Sequence, residues 1–369
     1  MKLSYWEIKS WLSNVDFTIV GSGIVGLSTA LFLKEKHPKS TILILEKGRL
    51  PQGASTKNAG FACFGSLSEI IDDLKIHTEL EVFELVQKRW QGLALLRKTL
   101  GDNAIDFCQL GGYELFYNSA VFAECFNKKD TINKLLMPIF KKEVFSFVED
   151  KFCFSKVQNQ LAFNQFEGQI DTGKMMSVLL QKVQEKGVKI LNNCTVENYS
   201  ETINEIKIKT TIGAISSKKL LIATNGFVSQ LLKVDVKPAR AQVLITKPIK
   251  NLAIKGTFHL DKGYFYFRNI DDRILLGGGR NLDFDTEQTV EFGQTELIQK
   301  VLERILSMVI LPNHTIEIDY RWSGIMGVGN KKKAIVKQIS NRVFCGVRLG
   351  GMGIAIGFLV GKELASLTD

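Results

Sequence analysis

Proline, histidine and paired cysteine are all scarce in this chain. The six prolines do not cluster, so no proline-rich spacer divides it, and no repeat or low-complexity segment does either. Its four histidines, His37, His77, His259 and His314, are scattered. No His/Cys spacing of the kind that holds zinc is present, and no metal centre is expected. The six cysteines, Cys63, Cys108, Cys125, Cys153, Cys194 and Cys345, include no C-x-x-C pair. Their irregular spacing predicts free thiols and a cytoplasmic setting. An apolar leader is missing too. Trp6, Glu7, Lys9 and Trp11 fall where a signal peptide would carry its hydrophobic core. One apolar run, 17–33, mimics a membrane span, but Gly21, Gly23 and Gly26 near its start fit a strand, a turn and a helix better. A peripheral membrane contact stays open.

What is present is ordinary for a globular protein. The 369 residues are 45% hydrophobic and 23% charged, which excludes a disordered tail, a collagen-like fibre and a disulfide-stapled miniprotein. Length alone predicts about two domains. Lys and Arg number 48 against 38 Asp and Glu, a net charge of +10. That excess admits nucleic acid, an acidic membrane or an anionic cofactor as partner, and reads equally well as solvated surface.

The clearest module lies near the N-terminus. Residues 16–20 predict a short strand, Gly21-Ser22-Gly23-Ile24-Val25-Gly26 a turn, 27–36 a helix, and 41–45 a second strand ending at Glu46. Gly21 permits the tight turn. Gly23 lets the backbone approach a pyrophosphate where a Cβ would clash, and Gly26 lets the helix pack on the strand. The helix N-terminus offers N–H groups and partial positive charge to a diphosphate. Glu46, 20 residues after Gly26, can accept the ribose hydroxyls, and its charge disfavours a 2′-phosphate. These features point to a dinucleotide. They do not separate FAD from NAD.

A second segment follows, Gly53-Ala54-Ser55-Thr56-Lys57-Asn58-Ala59-Gly60. It is small, polar and bounded by glycine, so its backbone can come close to a ligand. With this segment the sequence resembles the D-amino-acid oxidase-like flavoproteins, a family that includes glycine oxidase, sarcosine oxidase and D-amino-acid dehydrogenase. The resemblance runs along nearly the whole chain. Thr195-Val196-Glu197 matches the segment that holds the adenine in the family. The run from Leu220 to Gly226 matches a returning strand and turn. Gly350-Gly351-Met352-Gly353 precedes a glycine-containing helix, where the family places the flavin's pyrimidine edge. The resemblance implies FAD, bound non-covalently because no cysteine stands at the family's attachment site. The cofactor-binding set it implies is Gly21, Ser22, Gly23, Ile24, Gly26, Glu46, Lys47, Ala54, Ser55, Thr56, Asn58, Ala59, Gly60, Val196, Thr224, Asn225, Gly226, Gly350, Gly351, Met352, Gly353 and Ile354.

The implied fold is α/β, an FAD-binding Rossmann-like domain with an interleaved α+β substrate domain built on a mixed sheet. Segments 1–80, 160–235 and 335–369 are assigned to the first domain, and 81–159 and 236–334 to the second. Phe83, Val86, Trp90, Leu93, Leu96 and Leu100 recur at helical spacing, as do Leu297, Val301, Leu302, Ile305 and Val309. Segments 206–209, 242–246, 264–268 and 274–277 read as strands.

The chemistry implied is oxidation of a small amine or amino acid. A hydride leaves carbon for flavin N5, and the imine hydrolyses. FAD carries that chemistry, so no strong protein base is required, and none is evident. A substrate carboxylate, where present, calls for a guanidinium that matches it. Arg348 and Tyr266 are the candidate catalytic residues, and Tyr264, Arg268 and Trp322 the candidate substrate contacts. Each aromatic reads as well as core, and Arg348 as well as an ordinary salt bridge. For Arg240 a structural role is expected. The electron acceptor is oxygen or a quinone.

The chain also departs from the family. Met352 stands where many members have histidine, and Ala355 where some have the lysine that helps activate oxygen. After Trp322-Ser323-Gly324 the family often continues with Asp and Pro, whereas Lys331-Lys332-Lys333 here reads as a solvated turn. These differences argue for a divergent substrate. Two other readings remain: action on the modified wobble uridine of tRNA, which suits the net charge, and a flavin-binding fold without activity. A nucleotide triphosphatase is rejected. The run from Gly168 to Lys174 imitates a phosphate loop, but Met175 stands where the Mg²⁺-binding hydroxyl belongs.

Overall fold

The computed structural model describes residues 3–368. Two eight-stranded sheets organise them. The first runs in the order Ile335–Gln338, Val343–Val347, Gly213–Ile222, Val15–Val20, Ile42–Leu45, Lys189–Leu191. Its central pairings are parallel, and the hairpin Val196–Glu201 and Ile206–Thr210 adds to Gly213–Ile222 antiparallel. Parallel strands are buried on both faces, which is why they are unbroken apolar runs such as Ile42-Leu43-Ile44-Leu45. One face packs under the helices Ile24–Lys36, Thr172–Glu185 and Gly353–Ser366, in a core that includes Ile19, Leu27, Leu31, Leu179 and Phe358. The other face buries Leu43, Leu45, Leu220 and Ile222 against the hairpin's Ile206 and Ile208.

The second sheet follows the order Ile318–Val328, Lys237–Thr246, Arg273–Gly278, Phe265–Ile270, Thr257–Leu260, Gly112–Leu115, Gln160–Asn164, Phe145–Glu149. Every neighbour pair is antiparallel except Thr257–Leu260 with Gly112–Leu115. Alternation divides its faces. Phe265 and Phe267 point into a core shared with the helix Glu296–Ile305. On the opposite face Tyr266 and Trp322 join Val243, Ala59 and Phe61.

Two elements depart from the expected segments. Gln160–Asn164, assigned to the cofactor domain, pairs in the second sheet. The helix Glu79–Leu100, assigned to the substrate domain, contributes Leu93, Leu96 and Leu100 to the first sheet's core. It lies so close to Gly353–Ser366 that a Cβ at Gly92 would sit 2.0 Å from the Ala355 carbonyl oxygen. Local sequence starts this helix through a capping box between Thr78 and Glu81. Tertiary packing decides which sheet it serves.

Candidate active site

A cavity of about 860 Å³ opens at the C-terminal ends of the parallel strands, lined there by Val20, Leu45 and Ala223 and from the second sheet by Ala241, Val243, Tyr266 and Gly324. This is where an open α/β sheet leaves room for a ligand. Its two ends are built differently.

The first end is made of turns. Gly21 has φ +101°, and a Cβ there would lie 2.9 Å from the Ala223 carbonyl oxygen. At Gly26 a Cβ would fall 1.9 Å from the Gly21 carbonyl oxygen, so only glycine lets the helix begin this close to the turn. Gly23, the N-cap, provides no side-chain cap. The Ser55 hydroxyl accepts instead from Ile24 N–H at 2.9 Å, tying the second glycine-bounded loop to the first. That loop holds itself together. Asn58 Nδ2 donates to the carbonyls of Ala54 and Ser55, at 3.2 and 2.9 Å, and Asn58 Oδ1 accepts from Gly60 N–H at 2.9 Å. Glu46 is buried, its Oε2 accepting from Ser22 N–H and hydroxyl at 3.0 and 2.7 Å, its Oε1 from Gly48 N–H at 2.9 Å. A carboxylate has about four acceptor sites, so capacity remains for ribose hydroxyls.

The second end is made of charges. Glu69 and Asp73, on the helix Leu67–Asp73, meet Lys332 across the cavity at 3.4 and 2.6 Å, and Arg89 lies 3.7 Å from Glu69. Burial raises the Glu69 carboxyl, but Arg89 and Lys332 outweigh it and hold it below the usual range. At Asp73 burial wins over Lys332, and the carboxyl is raised. His259 Nε2 lies 2.6 Å from Glu167 Oε1. Burial opposes the imidazolium, yet Glu167 outweighs it and raises the His259 pKa. Burial pushes the Tyr266 phenol up to about 12 and raises the buried Cys63 thiol well above its ordinary value. Lys262 pairs with Asp72 at 2.8 Å. Arg280 sits half-buried on the same wall, its guanidinium 4.6 Å from the Phe284 ring centre. Burial lowers its pKa, and among the described residues it has no carboxylate ion pair. No group of His, Cys, Asp or Glu among the described residues is arranged to hold a metal.

A model of the FAD-dependent oxidoreductase family designated DAO matches residues 16–367. The chain belongs to that family. Gamma-glutamylputrescine oxidoreductase of Escherichia coli is 22% identical over 380 residues, covering 95% of this chain and 83% of the relative. The sarcosine oxidase beta subunit of Rhizobium meliloti is 22% identical over 347 residues, covering 90% and 79%. In fold the chain is similar to glycine oxidase from Geobacillus kaustophilus, with a TM-score of 0.79, 18% identity, and 96% and 95% of the two chains covered. This chain is an FAD-dependent oxidoreductase.

The first end of the cavity fits FAD. Gly21 and Gly23 face the cavity, and a Cβ at Gly23 would lie 2.9 Å from Ser55 Oγ. Thr224 Oγ1 is buried beside the cavity without a partner. Gly21, Gly23, Ile24, Glu46, Lys47, Ala54, Ser55, Asn58, Ala59, Gly60, Val196, Thr224, Asn225, Gly350, Gly351, Met352, Gly353 and Ile354 line the cavity. Four residues of the expected set do not. Ser22 is buried on Glu46, Thr56 donates its hydroxyl to the Pro51 carbonyl at 2.7 Å, and Gly26 and Gly226 serve close packing. They shape the cradle from behind.

The substrate expectations divide more sharply. Tyr264 and Tyr266 line the cavity. Arg348 does not. It is buried with φ +67°, its Nη1 donating to Asp235 Oδ2 at 2.7 Å and its Nε to the Lys333 carbonyl at 2.9 Å. Trp322 packs behind Ala59 and Val243, outside the lining, and donates Nε1–H to the Lys57 carbonyl at 2.9 Å. Arg268 is buried beside Gly60, outside the lining, and burial lowers its pKa to about 10. Arg240 forks onto Glu287 with two 2.8 Å bonds. The residues missed were Cys63, Glu69, Asp73, His259, Arg280 and Lys332. One signal was available: Ser66-Leu67-Ser68-Glu69 directly follows the second cofactor loop and reads as a helix start with an acid at its third position. Lys332 is exposed, as read, and pairs with Asp73 and Glu69.

Proposed function

We propose that this flavoprotein oxidises the carbon–nitrogen bond of a small amine or amino acid lying among Tyr264, Tyr266, His259 and Arg280. The observation that carries this reading is Arg280, a cavity-lining guanidinium without a carboxylate ion pair. A substrate carboxylate supplies one in the geometry a guanidinium prefers. Bound FAD supplies the two-electron acceptor at its N5 position, and the imine product hydrolyses in water. Several other charges on this wall are paired: Lys332 with Glu69 and Asp73, Lys262 with Asp72, His259 with Glu167. Arg280 is the arginine of the lining and, like Lys47, Lys57 and Lys331, has no carboxylate ion pair among the described residues; its charge biases a nearby substrate amine towards its neutral, oxidisable form. Tyr266 stays protonated across the working pH range and can donate to substrate, and its ring excludes water alongside Phe61, 5.6 Å away. Reoxidation is by oxygen or a quinone. Ala355, in place of the family's lysine, supports a slow reaction with oxygen. The unpaired thiols support a cytoplasmic setting. The tRNA alternative draws no specific support from the cavity wall, where Lys262 and Lys332 are paired with carboxylates.

The test is anaerobic bleaching of the flavin by a panel of glycine, sarcosine, D-amino acids, proline and polyamine conjugates. Bleaching by at least one carboxylate-bearing amine is expected. Bleaching by none of them refutes the reading.

A further inference from the structure

The end of the molecule opposite the cavity carries exposed apolar and basic side chains that the oxidation does not use. The parallel strands start there, at Val15, Ile42, Lys189 and Val343. From the first hangs the helical segment Tyr5–Glu7 and Ile8–Leu12, none of whose residues is buried. Tyr5, Trp6, Ile8 and Trp11 are 65%, 69%, 46% and 40% exposed. The segment is nevertheless held in place. Ser4 and Glu7 form a capping box at its start, and the Lys189 ammonium bonds the Ser10 carbonyl. Lys9 lies over the Tyr5 and Trp6 rings at 5.6 and 5.8 Å.

A second apolar tip stands at the same end. Ile203, in the turn of the 196–210 hairpin, is 91% exposed, and Arg342 holds its carbonyl at 2.6 Å. Arg342 also bonds the Lys218 carbonyl at 3.2 Å, and Lys218 shares a surface hollow with Lys39 and Asp16. Lys9, Lys39, Lys189, Lys218 and Arg342 therefore surround the apolar tips. Two acids are engaged locally, Glu7 in the capping box and Asp16 with Lys218 at 2.8 Å. Glu35, Glu185, Glu201 and Glu205 are further acids on the elements that meet here.

We propose that this end docks on an anionic lipid surface, with Tyr5, Trp6, Ile8 and Trp11 in the headgroup region and the surrounding cations facing lipid phosphates. Trp and Tyr suit a boundary where one end of the ring is dry and the other wet. A fringe of lysines matches negative headgroups. No helix among the described residues is long and apolar enough to cross a membrane, so the contact is peripheral. Docking in this way gives part of the +10 charge a use and leaves the cavity, at the far ends of the strands, open to dissolved substrate.

The experiment is sedimentation of the FAD-loaded protein with vesicles of phosphatidylglycerol and phosphatidylcholine, compared with phosphatidylcholine alone. Binding to the anionic vesicles with a blue shift of tryptophan emission is expected, reversed as salt rises from about 0.1 M to about 0.5 M. Trp6→Ser with Trp11→Ser should weaken binding about tenfold, with flavin content and anaerobic bleaching unchanged. Lys9→Glu with Lys39→Glu, which keeps the aromatics, should weaken it as well. Absence of binding to anionic vesicles at low salt overturns the proposal, as does equal binding by the tryptophan variant. A dimer in solution that the tryptophan variant abolishes, without vesicle binding, assigns the patch to a second copy and also overturns it.

Discussion

The two ends of the cavity solve different problems with different parts of the chain. At the FAD end the ligand meets mainly backbone: glycine turns, a helix start and a self-bonded loop, with Glu46 the one buried acid. At the end proposed for substrate stand side chains whose charges are set by one another: Lys332 with Glu69 and Asp73, His259 with Glu167, and Arg280 with no carboxylate ion pair. A diphosphate cofactor is recognised by geometry that few residue types permit. An amine substrate is recognised by a balance of charge that many arrangements can reach.

The largest expected effect breaks the first end. Gly26→Val places a Cβ where the Gly21 carbonyl oxygen stands, 1.9 Å away. Purified protein should be colourless, with a lowered thermal midpoint. Yellow protein with normal flavin content would show that the turn tolerates side chains. Glu46→Gln keeps the shape of this end but removes the charge that accepts from Ser22 and Gly48. FAD affinity should fall about tenfold, read by fluorescence titration of apoprotein, with substrate half-saturation unchanged.

The next two variants probe the second end. Lys332→Ala removes the cation shared by Glu69 and Asp73. Asp73, already raised by burial, should rise further, so the acid limb of the kcat/KM profile moves to higher pH while FAD binding holds. An unmoved profile would place Lys332 outside the working network.

The smallest effect is a stability difference at His259. Its folded pKa is raised above the ordinary 6.5, so its stabilising contribution is complete below that value and is lost as pH rises through the folded pKa. His259→Gln should therefore lower the thermal midpoint more at pH 6 than at pH 9, by about 2 °C. Equal losses at both values would mean that the imidazolium is not what Glu167 stabilises.

Legibility in the sequence follows the same division. Gly21, Gly23, Gly26 and Glu46 lie within one short module, because a turn and a helix start impose residue types at fixed spacing. The loop 53–60 was readable for the same reason. Gly26 and Gly226 were found as motif members although they act from behind the cavity, since a motif does not distinguish contact from packing. The second end joins residues 63–73, 259–266, 280 and 332, which only the second sheet and its connections bring together. Arg348 shows the cost of reading proximity along the chain. It stands two residues before Gly350, yet its positive φ turns the guanidinium onto Asp235. Lys332 shows the converse, a lysine in a basic run that tertiary structure carries to a carboxylate pair.

The division of labour is tested most directly by Arg280→Met in anaerobic flavin reduction, using a carboxylate-bearing amine and its carboxylate-free counterpart. The account predicts unchanged flavin content, a half-saturating concentration raised about tenfold or more for the acid, and little change for the counterpart. Loss of flavin, or equal half-saturation by the acid in variant and wild type, would contradict it.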